Sequence, residues 1–177
     1  GAIVVTLWML ARSPSVFRSD GSMKLGLIAG LLFALEFFLL FIGLQWTTAS
    51  HAVLFLYTSP FFVALGIHFL VPTERLRPMQ WAGLFLSFAG VAMALGVSGF
   101  TSKQQLIGDL LTLAAGAVWG SVTVTVRVTS LRHVSAPKLM LYQLGVSAIL
   151  LSLAAFLLGE SWPSKISLLS WASLAYQ

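Results

Sequence analysis

The chain contains no cysteine, so disulfides and thiolate-bound metal centres are excluded at the outset. Charge is almost as scarce: 8% of residues are Asp, Glu, Lys or Arg, and only five of the 177 are acidic. Soluble domains carry about a quarter of their residues charged, so this composition excludes an ordinary solvated surface. No GxxxxGK phosphate loop, HExxH pair or GxSxG elbow occurs, and the few carboxylates do not recur at metal-ligand spacing. His51, His68 and His133 stand on different segments and form no ligand set by spacing. ATP-driven pumping, metallohydrolysis and serine-type hydrolysis therefore lack the residues their chemistry needs, and neither a cofactor nor an enzymatic activity is expected.

What is abundant is apolar surface, at 58% hydrophobic residues and a mean hydropathy of +0.95. A hydrocarbon core about 30 Å thick needs about 20 helical residues at 1.5 Å each. Five runs reach that length: Leu25–Trp46, Ser50–Val71, Met79–Val97, Leu106–Val126 and Leu139–Leu158. Two shorter runs, Gly1–Ala11 and Leu168–Gln177, are about half that length, and the chain reads as an internal piece of a longer polytopic protein. The fold class expected is all-α, a transmembrane helical bundle.

The net charge of +5 would suggest nucleic acid in a soluble protein, but its distribution says otherwise. Arg12, Arg18 and Lys24, then Arg75 and Arg77, then Arg127, Arg132 and Lys138 place eight of the ten basic residues in alternate loops. The positive-inside bias assigns loops 12–24, 72–78 and 127–138 to the cytoplasm and removes the case for a nucleic-acid partner. Under that topology, spans five apart run in opposite directions. An internal five-helix repeat would therefore be inverted, the arrangement of many secondary transporters.

Glu36, at the centre of the first full run, is the sharpest candidate site residue. A charge at mid-membrane costs roughly 2.5–3.5 kcal/mol on insertion scales, so it should face a cavity or a partner, and its protonation is a candidate coupling step. Helical spacing puts Gly43 and Thr47 on its side. In the next run, Pro60 removes a backbone donor beside Thr58 and Ser59 and predicts a kink that frees the carbonyl of Leu56. Tyr57, Ala64 and His68 are expected on one face lining a path. Glu74 with Arg75 reads as a loop clamp at the charged end of that run, and Pro78 opens the following helix. Gly116 and Gly120, and the stripe Gly83, Ser87, Gly90 and Ala94, read as helix-packing faces. Trp119 lies too deep for an interfacial belt and could stack on a substrate; Tyr142, Gln143 and Ser147 give the last full run a polar beginning.

The stretch LQWTTASHAVLFLYTSPFFVALGIHFLVPTERLRPMQWAGLFLSFAGVAMALG resembles the EamA-type repeat of the drug/metabolite transporter superfamily: a small-polar turn, a helix with a central proline closing on Glu-Arg, then a glycine-containing helix. IGDLLTLAAGAVWGSVTVTVRV and LYQLGVSAILL resemble the opening helices of a second repeat. Thr73 stands where the family often has glycine. The resemblance implies a ten-helix fold of two inverted five-helix repeats. Residues 1–99 would carry four helices of the first, one of them partial, and 100–177 the opening helices of the second. It also implies an inner-membrane secondary transporter, in the exporting direction, for small organic metabolites or drugs. Protons are a candidate coupling ion, the lipid bilayer is the surroundings, and a homodimer is a candidate assembly. Glu36, Tyr57, His68, Trp119, Tyr142 and Gln143 would line the substrate or proton pathway. A scaffold or sensor subunit that keeps the fold without transport is the alternative, and a lipid-facing Glu36 paired to nothing, or a midplane filled by Leu and Phe with no polar cavity, would favour it.

Overall fold

The computed structural model describes residues 20–94 and 102–159, so Arg12, Arg18, the two short terminal runs, Trp162 and Lys165 lie outside the described residues. The described elements are helical: α1 Met23–Leu44, α2 Ala49–Leu56, α3 Ser59–Leu70, α4 Pro78–Ala94, α5 Lys103–Val128 and α6 Ala136–Leu157. Short 3₁₀ turns, Pro72–Glu74 and Ser130–His133, join α3 to α4 and α5 to α6. Taken across the α2–α3 break, Ala49–Leu70 is one 22-residue apolar segment, and with α1, α5 and α6 it makes four membrane-length helices among the described residues.

Local signals set the ends. Thr48 caps α2 by accepting from the His51 amide at 3.3 Å, and Ser102 caps α5 by accepting from that of Gln105 at 3.1 Å. Pro78 and Pro137 occupy first-turn positions, where a missing N–H costs nothing. Thr73 sits in the first 3₁₀ turn, and no non-glycine residue among those described has a positive φ. That turn therefore does not require the glycine which relatives of the resembled family often carry.

α5 is the hub, packed by α1, α2 and α3, while α6 packs on the other side of α1. Lipid gives apolar side chains little reason to leave it, so such helices associate where small residues let backbones approach. Gly26 lies under the Tyr142 ring, which fills the space a Cβ would need, and a Cβ on Gly30 would stand 2.5 Å from the Tyr142 carbonyl oxygen. Gly43 and Gly108 oppose one another at the α1–α5 crossing, each against the other's carbonyl oxygen. The small stripe of α4 behaves differently from expectation. Gly83, Ser87 and Gly90 are exposed, the two glycines have nothing within 4 Å, and α4 attaches instead through Phe85 and Phe88 on Phe61, at 4.9 and 5.7 Å between ring centroids.

Candidate functional site

Glu36 is 4% exposed, on the α1 face that also carries the buried Gly43, which packs on α5. Its Oε2 is buried with no hydrogen-bond partner among the described residues. Phe38 points outward, as the helical period requires. The acid is therefore enclosed by the bundle, not exposed to lipid.

The second span breaks between Leu56 and Ser59, with Tyr57 and Thr58 outside either helix. Pro60 cannot donate to Leu56, and the Thr58 hydroxyl donates to the Phe55 carbonyl at 2.5 Å, so the interruption has both a cause and a partial remedy. Gly116 and Gly120 of α5 seat it: a methyl at Gly116 would stand 2.8 and 3.2 Å from the Phe55 and Leu56 oxygens, and one at Gly120 3.0 Å from that of Ser59. The glycine pair thus packs against the loosened backbone, and the oxygens that Gly116 meets include that of Leu56, the carbonyl that Pro60 deprives of its donor.

The break sets Tyr57 apart: it lies outside both helices and is 53% exposed, whereas Ala64, buried, and His68, half-buried with its ring edge-on to Phe69 at 5.4 Å, stay one turn apart on α3. His68 Nδ1 is buried without a partner among the described residues.

At the end of the bundle holding the α1–α2 turn lies a polar cluster. Asp109 of α5, 1% exposed, accepts from the Thr47 hydroxyl and, at 2.9 Å, from His51 Nδ1. The Gln105 amide nitrogen lies 3.2 Å from His51 Nε2, so one tautomer, with the ring proton on Nδ1, satisfies both contacts. His51 and Gln105 are 5% and 8% exposed. The cluster ties the ends of α1, α2 and α5 together. Sequence reasoning overlooked Asp109, although the rule that singled out Glu36 applies to any acid inside an apolar helix. Its place within two turns of the helix start made it resemble a boundary residue.

The opposite, basic end is more open. A cavity of about 420 Å³ is lined by Phe33, Trp119, Arg127, Arg132, Leu139 and Gln143 among others, and brings together two of the sequence-predicted residues, Trp119 and Gln143. A second, of about 500 Å³, is walled by Pro60, Ala64, Ile67 and Leu84 with Glu74 and Arg127. Thr123 and Arg127 of α5 line both. Glu74 does not pair with Arg75, as the adjacent charges suggested. Its carboxylate accepts from Arg127 Nη2 at 2.5 Å and Nε at 2.9 Å, a forked contact reaching from the α3–α4 turn to the last turn of α5, and Arg75 is exposed. Tyr142 lies outside both cavities; it packs on Gly26, with its hydroxyl 3.1 Å from that of Ser22. Ser147 donates to the Gln143 carbonyl of its own helix at 2.6 Å. Lys138 binds Asp20 at 2.8 Å, joining the starts of α6 and α1; this contact, then the bonds from Ser22, holds the Asp20 carboxyl well below the usual carboxylate range.

A family model described as the EamA-like transporter family matches residues 1–96. An "uncharacterized transporter" of Archaeoglobus fulgidus is 40% identical over 96 residues, 53% of this chain and 31% of that protein. A solved structure described only as the crystal structure of a protein superposes with a TM-score of 0.71 at 28% identity, over 93% of this chain and 56% of that one. The chain thus spans little more than half the length of the solved relative, and its match covers about a third of the curated one. Membrane-length helices, an intramembrane acid and a proline-broken span seated on glycines come together here with a family match over more than half of the chain, which belongs to the EamA-like transporter family, a family of helical membrane transporters and not of enzymes.

Proposed function

We propose that the chain forms the core of a secondary transporter that carries small organic metabolites outward across the inner membrane by alternating access. The observation that carries this reading is the asymmetry along α5. Its first turns are locked into the Thr47–His51–Gln105–Asp109 cluster, whereas its last turns, at Thr123 and Arg127, border two cavities. Along α5, the first end is held by hydrogen bonds to buried groups and the last borders open cavities. The basic turns assign that last end to the cytoplasm. The forked Glu74–Arg127 contact spans that end between the parts of the chain read as first and second repeat, in a ten-helix, two-repeat protein with a homodimer as its candidate assembly.

In this scheme Pro60 and the Tyr57–Thr58 break give the second span a place to bend, and Gly116 and Gly120 are the surface on which it moves. Glu36 supplies the coupling carboxyl. It is enclosed rather than lipid-facing, and its Oε2 has room in its bonding for a proton or a donor from a moving helix. An enclosed acid lacks one of the two features that would favour a scaffold without transport, a lipid-facing Glu36.

The test is flux of a metabolite panel in proteoliposomes of the full-length protein under an imposed pH gradient. Glu36→Gln should abolish the pH dependence of flux while leaving helicity and insertion intact. Unchanged pH-dependent flux would remove Glu36 from the mechanism, and no flux of any compound by the wild type would remove the transport reading.

A further inference from the structure

The 420 Å³ cavity at the basic end, open and lined by both aromatic and polar side chains, carries an electrostatic asymmetry. Four acidic residues are described. Asp20 is held by Lys138, Glu74 by Arg127 and Asp109 by His51, while Glu36 is enclosed at the middle of α1. Arg127 therefore enters the cavity with its charge already balanced. Arg132 does not: its Nε donates to His133 Nε2 at 2.9 Å, and no carboxylate among the described residues lies within ion-pair distance.

The position of Arg132 is set by the turn that bears it. Leu131, beside it, is 1% exposed. The Thr129 hydroxyl donates to the Thr125 carbonyl at 2.7 Å and accepts from the Leu131 amide at 3.3 Å, and the Arg132 amide bonds the Thr129 carbonyl at 3.3 Å. Arg132 is exposed and extends from an anchored 3₁₀ turn. The same cavity is lined by Trp119, Phe33 and Gln143.

A planar guanidinium fork matches the two oxygens of a carboxylate with two parallel charge-assisted hydrogen bonds. Aromatic walls accept a flat apolar body, and the volume lies in the range of small-ligand sites. We infer that this cavity binds an organic monocarboxylate with an aromatic-sized apolar body, its carboxylate on Arg132 and its body against Trp119 and Phe33. A cationic group finds no uncompensated acid there among the described residues. The assignment of this ligand as the transported substrate rests on the transporter reading; the binding itself does not. An anionic lipid headgroup between the helices offers the same anionic chemistry, and the experiment separates the two sources.

Calorimetric titration of the full-length protein in nanodiscs of zwitterionic lipid would compare 3-phenylpropionate with 3-phenylpropionamide, which has the same shape without the charge. The carboxylate is expected to bind at least about tenfold more tightly, the size of one charge-assisted hydrogen bond. Arg132→Gln should bring the two ligands to within about twofold of each other, and Arg132→Lys, which keeps the charge and loses the fork, should fall between. Equal binding of acid and amide to the wild type, or an undiminished preference in Arg132→Gln, would overturn the inference. So would loss of the preference whenever the nanodiscs contain anionic lipid, which would assign the cavity to a headgroup. Proteoliposomes that transport other compounds while neither probe binds would sink the ligand class and leave the transporter reading standing.

Discussion

Replacing Asp109 by alanine tests the cluster at the start of α5 directly. The carboxylate is 1% exposed and accepts from two donors, the Thr47 hydroxyl and His51 Nδ1. Truncation strands the buried His51 N–H, while the part-buried Thr47 hydroxyl can turn to water. A stranded buried donor costs about 1–3 kcal/mol and the lost Thr47 bond about 0.5–1.5, with relief of the acid's own desolvation offsetting part, so roughly 1–3 kcal/mol is expected. Asp109→Asn keeps the shape and one acceptor but turns an amide N–H toward one of the donors, for about half that loss. Reversible unfolding in mixed micelles measures both, and a double-mutant cycle with His51→Phe isolates the pair, with an expected coupling of about 1.5–3 kcal/mol for a bond to a charged group. The functional counterpart is larger than it sounds, because each ~1.4 kcal/mol removed from a closed state favours the open one tenfold. Accessibility of a single cysteine introduced at Thr48, probed from that side in the cysteine-free background, should rise accordingly. If Asp109→Ala lies within about 0.5 kcal/mol of the wild type and the cycle shows no coupling, the cluster does not hold that end and the argument fails.

Gly116→Ala should destabilise by about 1–3 kcal/mol through overpacking, since the new methyl would meet the Phe55 oxygen at 2.8 Å and Thr58 Oγ1 at 2.9 Å, whereas Gly83→Ala, on an exposed helix face with nothing within 4 Å, should stabilise by up to about 1 kcal/mol in the same assay. For the Asp20–Lys138 pair the sign follows from a depressed folded-state value: its contribution is complete above the ordinary aspartate range near pH 4, and is lost as pH falls through the lower value of the folded protein. The stability difference between wild type and Asp20→Asn should therefore be constant from pH 8 down to about pH 4 and shrink only below it; a difference that disappears between pH 8 and pH 5 would contradict the assignment.

The helices themselves were legible because length and hydropathy are local properties. Leu25–Trp46, Ser50–Val71, Leu106–Val126 and Leu139–Leu158 correspond to observed helices Met23–Leu44, Ala49–Leu70, Lys103–Val128 and Ala136–Leu157, with ends displaced by one to three residues where Thr48, Ser102 and Pro137 set the caps. The interruption beside Pro60 was legible for the same reason, since a missing N–H and a ring clash act within one turn. Partnerships across the bundle were not. Glu74 looked bound to its neighbour Arg75 and instead reaches Arg127, 53 positions on. Tyr142 and Gln143 are adjacent in sequence, yet one packs on Gly26 and the other lines a cavity, because successive helical residues point about 100° apart.

By itself, then, the sequence determined that this is a helical membrane protein with an expensive acid at the centre of one span and a broken neighbour, because the energetic cost of apolar runs, charges and proline is set residue by residue. Only the tertiary structure decided which small residues are contacts and which are surface, and that Asp109, unremarked in a run of leucines, ties one end together with Thr47 and His51. Those choices depend on which helices become neighbours. Helix association in lipid follows close approach and hydrogen bonding between distant segments, which no single segment encodes.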